Sequence, residues 1–170
     1  DGWRAVIADD FTFVNLKKVA QATADYAKEN LKKPDGQKIG ICVGYDTRFL
    51  SDKFAQTVAE VISANGITVF LSDRAVPTPA LSFAVKSRKL DLGVMITASH
   101  NPPEFNGYKI KNSSGGAADV AVTQKVESLI GSSNVSFQLL SEAIKNGSVT
   151  VANISKDYVD FLRSYIDKKA

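Results

Sequence analysis

The pattern that most narrows the fold lies between residues 38 and 96, where short apolar runs alternate with segments of helical period. Lys38-Ile39-Gly40-Ile41-Cys42-Val43, Ile67-Thr68-Val69-Phe70-Leu71 and Leu92-Gly93-Val94-Met95-Ile96 read as buried strands. Between the first two, residues 51–64 place Phe54, Ala55, Val58, Val61 and Ile62 on one face, with Ser51 as the expected N-cap and Asn65-Gly66 as the stop. Pro77-Thr78-Pro79 opens a shorter helix through Leu81, Ala84 and Val85. Strand, helix, strand, helix, strand with short links is the pattern of right-handed parallel crossovers. The expected fold class is therefore α/β, a mostly parallel mixed sheet flanked by helices in three α/β/α layers. Ligands in such sheets collect beyond the carboxyl ends of the strands.

The flanking segments read less sharply. Leu16, Val19, Ala20, Thr23, Ala24, Ala27 and Leu31 recur at helical spacing over 16–31, with Asn15 as the expected N-cap and Pro34-Asp35-Gly36 as the closing turn. Tyr108-Lys109-Ile110-Lys111 reads as a short edge strand whose charges discourage pairing with another chain. Ser113-Ser114-Gly115-Gly116 reads as a surface loop, followed by a helix over 120–130 with Val122, Val126, Leu129 and Ile130 inward. Residues 131–153 look polar and irregular apart from a small helix over 139–145, ended by Asn146-Gly147. A last helix, with Ser155 as its expected cap, carries Tyr158, Val159, Phe161, Leu162, Tyr165 and Ile166 over a wide face.

Composition removes several classes of function. No apolar run approaches the roughly 20 residues of a membrane-spanning helix, so the expectation is no membrane and a cytoplasmic location. One cysteine, Cys42, permits no internal disulfide, and with a single histidine the chain lacks the ligands of a common zinc site. The net charge of +3 comes without any long basic run, so no nucleic-acid partner is expected.

Chemistry concentrates at the exit of the third strand, in Thr97-Ala98-Ser99-His100-Asn101-Pro102-Pro103-Glu104-Phe105-Asn106-Gly107-Tyr108-Lys109. Pro102 and Pro103 stiffen the exit and remove two backbone donors, so the chain leaves the sheet there. A serine beside the only histidine invites comparison with a hydrolase. Yet adjacent strand residues point to opposite faces, a sharp turn is needed to bring Ser99 and His100 together, and no G-x-S-x-G elbow is present. The loop Gly44-Tyr45-Asp46-Thr47-Arg48 leaves the first buried strand at the same end of the sheet.

This T-A-S-H-N-P run resembles the phosphoserine loop of the α-D-phosphohexomutases, the phosphoglucomutase and phosphomannomutase family. Asp1-Gly2-Trp3-Arg4 resembles the tail of the family's T-D-G-[IW]-R motif, and Asp46-Thr47-Arg48 resembles its D-[ST]-R loop. The chain opens inside the first of these, so a domain truncated at its N-terminus is expected. The resemblance implies a domain of the family's first type over 1–153 and a linker helix over 154–170 leading toward a second domain.

The resemblance further implies that Ser99 carries a phosphate, and that hexose 1-phosphate and hexose 6-phosphate of glucose or mannose interconvert through a bisphosphorylated sugar. Arg4, Arg48, Lys109 and also Lys111 would supply the cations that a phosphoserine dianion needs. Lys109 would help deprotonate the incoming hydroxyl, and His100 would orient the loop or handle a proton. Thr97 and Asn101 would hold the loop by hydrogen bonds, Asn101 by capping the turn, and Asp46 would orient Arg48. One phosphate oxygen of Ser99 would join a Mg²⁺ whose other ligands lie in a D-G-D-x-D-R loop. That loop, the sugar-reading G-E-x-S-G segment and the substrate-phosphate loop belong to further domains of the same enzyme. The isolated chain is therefore expected to be inactive.

Two other classes compete with this reading. A phosphate-binding α/β module would use the same basic residues without chemistry, although no Walker-type or G-x-G-x-x-G loop is present. An interaction domain rests only on the apolar last helix.

Overall fold

A computed structural model of the chain describes residues 2–34 and 36–166. Asp1, the Asp35 position of the expected turn and the final residues after Ile166 lie outside the described residues. The strands are β1 (Gly2–Val6), β2 (Gly40–Tyr45), β3 (Thr68–Ser72), β4 (Leu92–Ile96), β5 (Phe105–Lys111) and β6 (Val149–Ala152). The helices are α1 (Phe13–Asn30), α2 (Ser51–Ala64), α3 (Thr78–Ser87), α4 (Val120–Ser128), α5 (Leu140–Lys145) and α6 (Ile154–Ser164).

The strands form one sheet in the order β1-β5-β4-β2-β3-β6. β4, β2, β3 and β6 run parallel, while β5 lies antiparallel to both β4 and β1. β2 is buried through Gly44 and β4 throughout, as befits central strands covered on both faces. Helices α1, α2, α4 and α5 pack on one face of the sheet, and α3 and α6 on the other. The architecture is the expected three-layer α/β/α sheet of mixed direction.

Two strands escaped the sequence reading. β1 is a five-residue strand in a segment for which the sequence predicts no element, and β6 occupies four residues of the stretch expected to be irregular. Their presence changes the place of β5, which was expected at an edge. It is internal, with Lys109 opposite Met95 on one side and Gly2 on the other, and the edges are β1 and β6.

Three caps also differ. α1 starts earlier, because the Thr12 hydroxyl accepts from the Asn15 amide, so Thr12 caps in place of Asn15. Leu50, in the left-handed region at φ 58°, precedes α2, and Ser51 is its first residue. The Asn153 side chain accepts from the Lys156 amide and caps α6 in place of Ser155. α6 packs on α3 through buried Ile154 and a Phe83–Phe161 ring contact at 4.6 Å, and Arg88 pairs with Asp157 at 2.8 Å. Val159, Leu162 and Tyr165 stay exposed.

Candidate active site

The chain turns back on itself between β2 and β4. β2 continues through α2 to β3 on one side, and β3 returns through α3 to β4 on the other, so the loops after β2 and β4 emerge side by side. The Asp46 amide donates to the Ile96 carbonyl at 3.1 Å, carrying the pairing of these strands into the loops. This reversal of strand order is where open α/β sheets bind ligands. An open cavity of about 460 Å³ lies there, lined by Asp46, Thr47, Arg48, Phe49, Ser99 and Asn101 with Pro103 at its rim.

Ser99 sits at φ 56°, in the left-handed region that a residue with a Cβ rarely adopts. Its amide donates to Thr97 Oγ1 at 3.0 Å, closing a tight turn. The sharp bend brings Ser99 Oγ within 3.4 Å of His100 Nδ1. Among the described residues no carboxylate is hydrogen-bonded to His100.

Arg48 holds the loop by its backbone. Its Nη1 donates to the carbonyls of Pro102 at 2.8 Å and Phe105 at 3.0 Å, and its Nη2 to those of Ser99 at 2.8 Å and Asn101 at 2.6 Å. A planar guanidinium with donors along two edges suits such a cluster, which a lysine could not reproduce. Arg48 Nε lies 3.4 Å from Asp46 Oδ2, and the Arg48 amide donates to Asp46 Oδ1 at 3.0 Å. In this arrangement the Arg48 fork faces loop carbonyls where the sequence reading had it facing phosphate oxygens.

Asn101 departs from its expected contact as well. Its side-chain oxygen accepts from Arg4 Nη1 at 3.0 Å, and the turn is closed by its backbone amide on the Ala98 carbonyl at 3.1 Å. Arg4 projects from β1 over Gly107 of β5, its register partner. A Cβ on Gly107 would meet the Thr97 carbonyl at 2.6 Å and Arg4 Cγ at 2.9 Å, so only glycine lets these strands and Arg4 share the space. Lys109 and Lys111 follow Gly107 at alternate positions and therefore share its face, the one that carries α3. Burial, and then the charge of Lys109, push the Lys111 ammonium below its ordinary value.

The structure thus brings Ser99, His100, Thr97, Asn101, Asp46, Arg48 and Arg4 into one contact network. Lys109 lies farther along β5, on the same face as Arg4. Phe49 was not anticipated; it is 69% exposed and lines the cavity, and only its place next to Arg48 signalled it in the sequence. A second cavity of about 500 Å³ lies on the opposite face between α1, α4 and β5, and none of the expected site residues lines it.

Among the described residues no group of three His, Cys, Asp or Glu side chains is placed to hold a metal ion. Asp46 is committed to Arg48 and to the Ser51 hydroxyl. No helix among the described residues is long and apolar enough to cross a membrane.

Comparison with known proteins gives a consistent assignment. The chain is 36% identical over 138 residues to a phosphoglucomutase of Staphylococcus saprophyticus, covering 79% of this chain and 24% of that protein. It is 42% identical over 97 residues to a protein assigned as a phosphomannomutase in Haemophilus influenzae, covering 57% and 19%. A solved structure assigned as a phosphomannomutase of Thermus thermophilus superposes with a TM-score of 0.86 at 32% identity, over 99% of this chain and 36% of that one. The chain therefore spans about a quarter of the length of the first of these relatives and about a third of the solved structure. Residues 1–135 match the family described as phosphoglucomutase/phosphomannomutase, alpha/beta/alpha domain I, and the chain belongs to that family.

Proposed function

We propose that this chain is the serine-bearing first domain of a phosphohexomutase that interconverts hexose 1-phosphate and hexose 6-phosphate. The observation that carries the reading is Ser99, held in a strained left-handed turn at the open cavity where the strand order reverses. In the proposed cycle the phosphate begins on Ser99. A sugar hydroxyl attacks the phosphorus, the bond from phosphorus to Ser99 Oγ breaks as the new bond to the sugar oxygen forms, the hydroxyl proton passes to a base, and Ser99 Oγ takes up a proton as it leaves. The bisphosphorylated sugar reorients, and its other phosphoryl group returns to Ser99 Oγ by the reverse step.

Phosphoryl transfer depends on positioning and charge stabilisation more than on covalent assistance. Arg48 would contribute by fixing the loop that presents Ser99, and Arg4, Lys109 and Lys111 by lending positive charge to one face of the sheet. His100 and Lys109 are the candidates for the proton. A Mg²⁺ bound through the Ser99 phosphate, with its other ligands supplied by a further domain, would neutralise developing charge when present. The proposed domain covers 1–153, and 154–170 leads on to the remaining domains, which would also read the sugar.

The test is peptide mass spectrometry of the full-length protein after incubation with Mg²⁺ and a hexose 1,6-bisphosphate. One added phosphate on Ser99 is the expected result. A folded protein without phosphate at Ser99 would overturn the reading and favour a phosphate-binding module.

A further inference from the structure

We propose that Ser51 and Asn106 are positioning residues that set the conformation of the Ser99 loop through a closed ring of hydrogen bonds. The inference rests on the functional reading above for its kinetic consequence but not for its geometry. Starting from the loop, Arg48 gathers the carbonyls of Ser99, Asn101, Pro102 and Phe105. Its own amide donates to Asp46 Oδ1, which also accepts from Ser51 Oγ at 2.9 Å. Ser51 Oγ accepts in turn from Asn106 Nδ2 at 2.9 Å. Asn106 follows Phe105 directly, so the ring returns to the loop from which it started.

The polarity of every link is fixed. Asp46, as a carboxylate, only accepts, and the Asn106 amide nitrogen only donates. The Ser51 hydroxyl is the one group between them that can do both. Asn106 cannot turn its side chain over, because its oxygen accepts from the Gly107 amide at 2.8 Å. Gly107 closes a second, smaller circuit: its carbonyl accepts from the Thr97 amide, and Thr97 Oγ1 accepts from the Ser99 amide.

Burial makes the ring demanding. Asn106 is fully buried and Ser51 is 1% exposed, so neither can exchange a lost partner for water. Ser51 also begins α2 and Asn106 lies in β5, so the ring ties the helix after the Arg48 loop to the strand after the Ser99 loop. A packing role alone would not need matched donors and acceptors along the whole path.

In the full-length enzyme, Ser51→Ala is expected to lower kcat about tenfold to hundredfold, the scale of a small displacement at a reacting group, with KM for the sugar phosphate changed less than about twofold. Ser51→Thr, which keeps the hydroxyl, is expected to recover most of kcat. The double variant Ser51→Ala, Asp46→Asn should be no slower than the slower single variant, since both break the same ring. A folded Ser51→Ala enzyme with unchanged kcat, or losses that multiply in the double variant, would overturn the proposal.

Should Ser51→Ala fail to fold, native-state amide exchange of the unmodified protein decides. The amides of Arg48, Ser99 and Gly107, each bonded to a side chain of these circuits, are expected to exchange through one shared opening. Independent openings would overturn the ring. An unmodified protein without mutase turnover but with shared opening would instead refute the functional reading and leave the positioning role intact.

Discussion

Arg48 and Ser99 meet through the backbone: the guanidinium donates to the Ser99 carbonyl at 2.8 Å, while Ser99 Oγ stays at the cavity beside His100. A cation that grips the peptide carrying a serine fixes where its hydroxyl points without bonding to that hydroxyl. The clamp is therefore separable from the Ser99 hydroxyl, and the two are expected to respond differently to substitution.

Arg48→Lys keeps the charge but can no longer reach the carbonyls of Ser99, Asn101, Pro102 and Phe105 together. The full-length variant is expected to fold, with its phosphorylation of Ser99 slowed about a hundredfold. Stopped-time mass spectrometry with a hexose bisphosphate measures this, and a rate within about threefold of the unmodified protein would show that the four-carbonyl clamp does not set the position of Ser99.

Ser99→Gly separates strain from chemistry. The left-handed turn at φ 56° disfavours a residue with a Cβ by roughly 1–2 kcal/mol, and the freer unfolded chain of glycine offsets about half of this. The variant is expected to take no phosphate and to be about 0.5–1 kcal/mol more stable, a rise in Tm of about 1–4 °C. Calorimetry beside phosphopeptide mapping reads both, and a less stable variant would show that the turn is unstrained.

Cys42 is fully buried in β2, where burial pushes its thiol up to about 12 in spite of the opposing charge of Arg88. Native protein at neutral pH is expected to resist thiol reagents until denaturant exposes β2. Labelling at the rate of a free cysteine would show that the central sheet opens readily.

Asp25 carries the acid-side prediction. Burial raises its carboxyl, but hydrogen bonds from Ser133, Lys28 and Gln21 together outweigh this and hold it below its ordinary value. A depressed carboxylate stabilises the fold above the unfolded value, near about 4, and that stability is lost as pH falls through the lowered native value. Asp25→Asn should lower the urea midpoint at neutral pH, with the gap to the unmodified protein closing below about pH 4. A gap that is independent of pH would assign the loss to packing.

The sequence was most legible where one element obeys one period. β4 has the bounds expected from Leu92-Gly93-Val94-Met95-Ile96, and α2 those expected from the inner face of Phe54, Val58 and Val61. β1 and β6 were not legible because a short edge strand is buried on few side chains: only Ala5 of β1 and Val149 of β6 are buried. Which residue caps a helix was read wrongly where several candidates stood close together, as Thr12 did with Asn15 and Asn153 with Ser155.

At the site, motif and spacing located the residues but not their contacts. Arg48 looked like a phosphate ligand because its charge is visible in the sequence, whereas the carbonyls it holds belong to residues 51 to 57 positions away. Ser51 had read as a cap, and Asn106 as one member of a motif. Their bond joins residues 55 positions apart, and no local pattern reveals it.

The hairpin from β4 to β5 has a consequence for the order in which the molecule comes together. Its connection is short, so the segment bearing Ser99 can close on itself early, whereas the Arg48 clamp must draw in residues up to 57 positions distant. Closing the longer loop costs about 2 kcal/mol more chain entropy than closing the hairpin. The turn that presents Ser99 is thus held in part by contacts that exist only when β2 lies beside β4, which ties the geometry of this serine to the integrity of the central sheet.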